Sequence, residues 1–299
     1  MYMVSGAWGI QDGYRLLHYL DNGRELQKDY PPTYGQRRSL AINAPGFRDL
    51  TMLKRVLVNT LPKNGTHLLL QVLSHVPGYR PSSIEVDWQN VGRAFELLPE
   101  TRPGQFSKGH LPYLNDIPAL IERENLTLFS MIRDPRDNVV SFYHYIMSQP
   151  AHRLYPSYSR MANDDERLMA TITGFRDDHE GREIIHEGIG WRSDAWGGWN
   201  DKPYCCPVVF ERLIGPQGGG SRREQLGELH RILEHLDIAP EVSLLEDIAD
   251  HAYNTGTHSF RKGRIGDWVN HFKEEHKRVF KSEANRFLVQ YGYEDSDNW

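Results

Sequence analysis

Residues 55–73 read RVLVNTLPKNGTHLLLQVL, an apolar run, a short loop and a second apolar run. The first run, residues 55–61, has the length and character of a buried strand, and residues 66–75 have those of a helix. A strand, a short glycine-containing loop and a helix place backbone N–H groups and the helix N-terminus around an anion. Lys63 adds a full positive charge to this loop. The stretch therefore predicts a phosphate- or sulfate-binding loop at a strand end.

Three further apolar runs have the character of buried strands, and helix-like stretches separate them. The strand candidates are residues 105–108, 126–133 and 207–212, and the helix candidates are residues 116–123 and 137–148. Strands that alternate with helices predict an α/β fold with a central parallel sheet flanked by helices. Ligands of such sheets bind beyond the carboxyl ends of the strands, so the residues that follow each strand are the candidates for function.

The whole chain is expected to form one domain, residues 1–299. No repeat or low-complexity segment divides it, and residues 1–50, rich in Gly, Tyr and Pro, predict an irregular N-terminal arm packed on the core. The glycine-rich residues 215–221 are interpreted as a surface linker before an amphipathic helix at residues 222–236. A second charged amphipathic helix is predicted at residues 272–293.

Composition and charge exclude several classes of protein. Hydrophobic residues make up 39% and charged residues 25% of the 299, as in ordinary globular proteins and unlike disordered chains. The net charge of −5 argues against a nucleic-acid partner. No run is long and apolar enough for a membrane span, and the N-terminus lacks a signal-peptide pattern. Because the only cysteines, Cys205 and Cys206, are adjacent, we expect a cytoplasmic protein with two reduced, buried thiols.

The second predicted strand leads into Lys108, Gly109, His110 and Leu111. This order places an imidazole at the mouth of the same crevice as the first loop. Histidine is the side chain best suited to proton transfer near neutral pH, so His110 is a candidate base. A hydrogen-bonded structural histidine is the alternative interpretation.

The third predicted strand ends at Arg133, and the turn at Pro135 begins a helix that carries Ser141. An arginine fork and a hydroxyl at this position are suited to a second anion. A structural strand–turn–helix with an Arg–Asp pair is the alternative, and it accounts well for Asp134 and Asp137.

The string SFRKGRIGDW at residues 259–268 is the most specific in the chain. Its cations Arg261, Lys262 and Arg264 surround Gly263, which lets the backbone approach a phosphate closely. Together with the two strand-end sites, it predicts a ligand with phosphate-type groups at both ends. A solvated basic loop is the alternative, but it leaves the Gly-Asp-Trp continuation unexplained.

Taken together, these motifs resemble those of the sulfotransferases that use 3′-phosphoadenosine 5′-phosphosulfate (PAPS), a family with a P-loop-like nucleotide-binding α/β fold. Residues 63–66 resemble the family's 5′-phosphosulfate loop, and Arg133 and Ser141 resemble its 3′-phosphate motif. Residues 108–112 resemble its Lys-Thr-His-Leu-Pro segment, and residues 261–268 resemble its RKGxxGDW motif. The four motifs keep the family's order and spacing.

The resemblance implies a role for each motif. His110 would be the general base and Lys63 would stabilise charge on the transferring group, while Lys108 would either assist the sulfuryl group or only end its strand. PAPS as co-substrate, and the desulfonated product PAP, would be held by Lys63, Asn64, Gly65, Thr66, His67, Arg133, Ser141, Phe260, Arg261, Lys262 and Gly263. The resemblance implies no metal, because side chains supply the cations.

Four residues depart from the family's pattern. Asn64 replaces a usual Ser, His67 replaces a Thr, and Gly109 replaces a Thr. Leu68 stands where related proteins often carry a Trp that stacks on adenine. This last change leaves the adenine contact open.

The resemblance also implies an acceptor, which we expect to be a small molecule with a hydroxyl or amine group. The segments expected to line its pocket are residues 80–105, 143–160 and 177–191, which carry aromatic residues consistent with a ring-bearing acceptor and with core packing alike. Their Asp and Glu residues favour a neutral or cationic acceptor. A homodimer is compatible with the resemblance.

Two other enzyme activities and one non-enzymatic function are the alternatives. A carbohydrate or lipid could be sulfated by the same mechanism. Phosphoryl transfer from ATP predicts a GxxxxGK[ST] loop, which the first strand end lacks. A non-catalytic nucleotide-binding protein on this fold would be expected to lack either Lys63 or His110.

Overall fold

The computed structural model describes residues 52–253 and 263–299. The strands are β1 (Val56–Asn59), β2 (Arg80–Asp87), β3 (Gln105–His110), β4 (Thr127–Ile132), β5 (Gly174–His179), β6 (Arg182–Glu187) and β7 (Cys205–Val209). Five of them form one parallel sheet in the order β2–β3–β1–β4–β7, and β5 and β6 form an antiparallel hairpin. The predicted α/β fold with a central parallel sheet is confirmed.

Helices cover both faces of this sheet. Those of six or more residues are α1 (Thr66–Ser74), α2 (Ile117–Arg123), α3 (Pro135–Met147), α4 (Tyr155–Arg160), α5 (Asp164–Thr173), α6 (Ile189–Gly197), α7 (Arg222–His235), α8 (Val242–Ala252) and α9 (Glu274–Gln290). Single helical turns include Ala94–Leu97, Phe210–Leu213 and Asp267–Asn270. No helix among these described residues is both long and apolar enough to cross a membrane.

β1 lies at the centre of the sheet and is buried on both faces. Val56 and Val58 pack with α1, α7 and α8, whereas Leu57 packs on the opposite face with α2. Successive side chains of a strand point to opposite faces, so a central parallel strand is a continuous apolar run. A separate core joins α3, α5, α6 and α9 beside the sheet.

The other predicted strands and helices agree with the observed ones to within three residues, but two parts of the sheet were not predicted correctly. Residues 80–87, which the sequence assigned to no element, form the edge strand β2, and only Ile84 and Val86 mark it as apolar. The strand predicted at residues 207–212 instead spans Cys205–Val209, because Cys205 and Cys206 pair with β4 and the next residues form a helical turn. The predicted arm at residues 1–50 lies outside the described residues, so the single-domain organisation stays a prediction.

The two cysteines are free and buried, as predicted. Burial raises the pKa of the Cys205 thiol to about 12 and that of Cys206 to about 11. Because the thiolate is the reactive form, both groups are chemically inert near neutral pH.

A buried arginine ties the start of α3 to the C-terminal residues. Arg136 is 3% exposed, and its guanidinium pairs with Asp134 at 2.8 Å and with Glu294 at 2.5 Å. It also lies over the ring of Trp268 at 4.1 Å and that of Trp299 at 4.6 Å. Asp134 caps the same helix by accepting a hydrogen bond from the Arg136 N–H at 2.8 Å.

Replacement of Arg136 by Ala is expected to lower the free energy of unfolding by about 3–5 kcal/mol, because it leaves the buried Asp134 carboxylate without its cation. Urea denaturation followed by circular dichroism measures this loss. Arg176→Ala on the hairpin, which breaks an exposed ion pair with Glu183, is the control and should cost less than about 1 kcal/mol. Equal losses for the two variants would contradict the stabilising role of Arg136.

Candidate active site

The loop between β1 and α1 is held in an unusual backbone conformation by its neighbours. Lys63 has a φ of +71°, a value uncommon outside glycine. Asn64 is buried, and its amide donates to the Met131 carbonyl at 2.8 Å and accepts from Asn138 at 2.7 Å. Asn138 also donates to the Pro62 carbonyl at 2.8 Å. Asn64 thus fastens the loop to β4 and α3 through its side chain.

Gly65 is the residue at which only glycine fits. Its φ is +109°, and a Cβ there would lie 2.5 Å from Phe210 Cδ2 and 2.7 Å from Met131 Sδ. α1 begins at the next residue, Thr66, and the first N–H groups of a helix lack intrahelical acceptors. The predicted strand–loop–helix is therefore present, and anion binding by the backbone of Gly65 and Thr66 stays a prediction.

Side chains at this loop are positioned by neighbouring aromatic and polar groups. The Lys63 ammonium lies 4.3 Å from the centre of the Tyr145 ring. The carbonyl of Lys63 accepts a hydrogen bond from Arg133 Nη1 at 2.7 Å. The hydroxyls of Thr60 and Thr66 are 2.6 Å apart. Two predicted anion-binding residues, Lys63 and Arg133, are thus in direct contact.

His110 is the last residue of β3 and lies beside the loop. Its Nδ1 is 2.7 Å from the carbonyl oxygen of Thr60. A carbonyl only accepts hydrogen bonds, so Nδ1 carries the proton and Nε2 of the neutral ring is unprotonated. Burial, reinforced by the charge of Lys108, lowers the pKa of His110 to about 4. The imidazole is therefore neutral at physiological pH and able to accept a proton.

Lys108 forms an ion pair with Glu85 of the edge strand at 2.6 Å. Burial raises the pKa of Glu85, but Lys108, His110 and His67 together outweigh it, so the net pKa is lowered. His67 therefore lies close enough to Glu85 to act on its carboxylate. The ion pair fixes the position of Lys108 without excluding either of its two expected roles.

The second predicted anion site lies at the end of β4. Arg133 stacks on Phe210 at 4.3 Å, and its buried Nε has no hydrogen-bond partner among the residues that the structure describes. Ser141 is 7% exposed and lies on α3. Gly263 has a φ of +57°, whereas Phe260, Arg261 and Lys262 lie outside the described residues. A buried, unsatisfied guanidinium N–H is costly, and an anionic ligand would satisfy it.

The Gly-Asp-Trp continuation of the C-terminal motif is explained by contacts with α3. The Asp137 carboxylate accepts from the Gly266 N–H at 2.8 Å and from the Trp268 N–H at 2.9 Å. The Ile265 N–H donates to the Gly218 carbonyl at 3.1 Å. The glycine-rich residues 215–221 are therefore more than a linker, because they contact the segment that follows the predicted phosphate-binding cations.

Several residues of this site were missed by the sequence analysis. They include Thr60, Asn138 and Phe210, together with Glu211, which accepts from the Asp134 N–H at 2.9 Å and the Tyr293 hydroxyl at 2.7 Å. The sequence around these four residues does not predict their roles, because each of them contacts an element that is distant in the chain. The Leu68 side chain belongs to the hydrophobic core, so the adenine contact stays open.

The structure thus brings together a strand–loop–helix that bears Lys63, a neutral histidine at the neighbouring strand end and an arginine at the next, which is the arrangement that the resemblance to PAPS-dependent sulfotransferases implies. No protein-family model matches the chain. It is similar to sulfotransferase 6B1 of Danio rerio, with 24% identity over 228 residues that cover 71% of each chain. This similarity confirms the resemblance to the sulfotransferase family.

Solved structures confirm the fold. Mouse sulfotransferase SULT7A1, solved with PAP, superposes with a TM-score of 0.60 at 18% identity, over 79% of this chain and 84% of that one. Retinol dehydratase, solved with retinol and PAP, gives a TM-score of 0.50 at 16% identity, over 79% and 82%. The chain therefore has the α/β sulfotransferase fold.

Lys108→Met is expected to raise the pKa of His110, because it removes a neighbouring cation and leaves the Glu85 carboxylate unpaired. Titration of the histidine resonances by NMR measures the change, with His110→Gln identifying the His110 signal. Lys273→Met, which breaks the exposed ion pair with Asp165, should leave this pKa unchanged. A pKa that stays the same in Lys108→Met would show that Lys108 does not act on the imidazole.

Proposed function

We propose that the protein transfers the sulfuryl group of PAPS to a hydroxyl or amine of a small-molecule acceptor. The observation that carries the proposal is the neutral His110, tied through Nδ1 beside the loop that bears Lys63. The similarity to sulfotransferase 6B1 and the SULT7A1 fold support the PAPS-dependent class. PAPS, when bound, supplies the sulfuryl group and leaves as PAP.

His110 takes the proton of the acceptor in this proposal. Its Nε2 has the lone pair that a general base needs, while the Thr60 carbonyl holds the tautomer and orients the ring. Protonation of the ring then places a charge close to Lys63 and Lys108, which disfavour it, and close to Glu85, which favours it. A positioned base of this kind contributes about 10²–10⁴-fold to the rate.

Lys63 and the loop backbone stabilise negative charge. The ammonium of Lys63 and the N–H groups of Gly65 and Thr66 act as fixed positive groups in a partly dry site, where such groups are worth more than in water. Lys108 either assists the sulfuryl group as well or only ends its strand, where it forms the ion pair with Glu85. Asn64 and His67 complete the loop, Asn64 through the contacts of its side chain with β4 and α3.

Arg133 and Ser141, with Phe260, Arg261, Lys262 and Gly263, hold the 3′-phosphate and perform no chemistry. The buried Nε of Arg133 supports this role, because it has a proton to donate and no acceptor within the described part of the chain. Binding the phosphate far from the reacting group orients the donor and distinguishes PAPS from ATP. The described residues contain no cluster of three or more His, Cys, Asp or Glu that could hold a metal ion.

The acceptor is proposed to be neutral or cationic, and four ion pairs support a neutral one. The acidic residues that suggested a cationic acceptor are mostly neutralised: Glu85 pairs with Lys108, Asp164 with Arg167, Asp165 with Lys273 and Asp177 with Arg160. Paired carboxylates attract a cation weakly. Cytoplasmic location and a homodimer stay predictions.

Transfer of label from PAPS to a panel of phenols, alcohols and amines tests the proposal. His110→Ala and Lys63→Ala are each expected to lower kcat/KM by about 10²-fold or more, since each removes a group that acts in the transition state. Binding of PAP, measured by thermal shift, should persist in His110→Ala. Full activity in His110→Ala would exclude the general base, and sulfation of polysaccharides or labelling from ATP instead would favour the alternatives.

The acid side of the pH profile should report the lowered pKa of His110. The imidazole accepts a proton only when it is neutral, so kcat/KM for the acceptor should fall to half near pH 4 instead of near 6.5. Enzyme preincubated at each pH and assayed at neutral pH is the control for unfolding. A half-maximal value near 6.5 would contradict the buried, neutral base.

A further inference from the structure

The backbone N–H and carbonyl of Leu111, the residue that follows His110, are both bound by a side chain from the neighbouring strand. Asn59 is the last residue of β1, is fully buried, and lies opposite Gly109 in the parallel register. Its Oδ1 accepts from the Leu111 N–H at 2.7 Å, and its Nδ2 donates to the Leu111 carbonyl at 2.9 Å. β1 ends at Asn59, and the side-chain amide of this residue makes the hydrogen bonds to Leu111 that a continuing strand would make with its backbone.

A second buried donor reaches the same Leu111 carbonyl. The indole N–H of Trp199 donates to the Leu111 carbonyl at 2.9 Å. On the other side of His110, the Gly109 carbonyl accepts from the Thr60 N–H at 3.1 Å. The backbone is thus fixed both before and after His110, by groups that are themselves buried.

Glycine at position 109 makes room for this arrangement. A Cβ on Gly109 would lie 2.8 Å from Asn59 Oδ1 and 3.1 Å from Leu57 Cδ1, so a side chain there would push the Asn59 amide away from Leu111. Gly109 is also a position at which the chain departs from the sulfotransferase pattern, which has Thr. The departure is explained if Asn59 and Gly109 act as a pair.

We propose that Asn59 is a positioning residue for His110, and that Gly109 is required because Asn59 occupies the space of its side chain. The inference rests on the proposed role of His110 as the base. The side chain of Asn59 hydrogen-bonds the Leu111 backbone, and it acts on His110 by holding this next residue of the chain. A base displaced by about 1 Å loses up to about 10²-fold in rate, so holding this peptide matters.

Asn59→Ala is expected to lower kcat by about 10- to 100-fold, because it removes both hydrogen bonds to Leu111, while KM for PAPS and stabilisation by PAP stay unchanged. Loosening the strand end also hydrates the ring, which moves the pKa of His110 up towards its ordinary value. The charged groups around that ring, Lys63, Lys108 and Glu85, are unaltered by the substitution. The acid limb of the pH profile should therefore shift to higher pH.

Ser107→Ala is the matched control. Ser107 is a fully buried residue of the same strand, and its hydroxyl bonds Thr101 at 2.7 Å and Ser82 at 2.8 Å instead of the His110 segment. It should lower the melting temperature but leave kcat and the pH profile unchanged. If Asn59→Ala behaves in the same way, Asn59 is only structural and the inference is wrong.

A double-mutant cycle tests the pairing of Asn59 with Gly109. Gly109→Ala alone should lower kcat by about 10-fold or more, because it displaces the Asn59 amide, but it should cost little more once Asn59→Ala has removed that amide. Strict additivity would overturn the pairing. Should Asn59→Ala fail to fold, Gly109→Ala still tests the same contact.

NMR titration of His110 separates this inference from the proposed activity. The pKa of His110 should rise in Asn59→Ala whether or not the enzyme sulfates a given acceptor. An unchanged pKa would overturn the inference even in an active enzyme. Conversely, a raised pKa in a protein that fails to transfer label from PAPS would leave the positioning intact and refute the proposed function.

Discussion

The chain has to change direction between β1 and α1 within six residues, and the rest of the site depends on how that turn is held. Lys63 and Gly65 both adopt positive φ. Gly65 does so readily, whereas for Lys63 the conformation costs free energy and persists because its neighbours impose it. The neighbours are the Met131 carbonyl of β4, Arg133 directly after that strand, and Asn138 of α3. The loop that carries the proposed catalytic lysine is thus shaped by the strand that carries the proposed phosphate-binding arginine.

The same dependence extends to the C-terminal motif. Asp137 on α3 binds the backbone of Gly266 and Trp268, and Arg136 stacks on Trp268. At the start of α3, Asp134 therefore caps the helix, Asp137 binds the C-terminal segment and Asn138 contacts the loop. Elements distant in sequence share one small polar framework at the carboxyl ends of the strands. Its members are nearly all buried, so they keep their geometry without solvent screening.

The sequence allowed prediction of the parts that depend on local patterns. Lys63, His110 and Arg133 were recognised because each follows an apolar strand, and ligands bind at the carboxyl ends of parallel strands. Asn59 and Glu211 were not, because their roles come from pairing with Leu111 and with Asp134 and Tyr293. β2 was missed because an exposed edge strand needs few apolar residues. Local patterns thus predicted the groups for which we propose a role in catalysis and donor binding, whereas the residues that support them became visible only through three-dimensional contacts.

The contact between Asn59 and Gly109 constrains how this protein diverges from its relatives. A larger residue at position 109 would collide with the Asn59 amide. A smaller residue at position 59 would leave the Leu111 backbone without the hydrogen bonds that Asn59 makes to it. In this backbone a side chain at position 109 and the Asn59 amide compete for the same space, so a substitution at either position has to be judged together with the residue at the other.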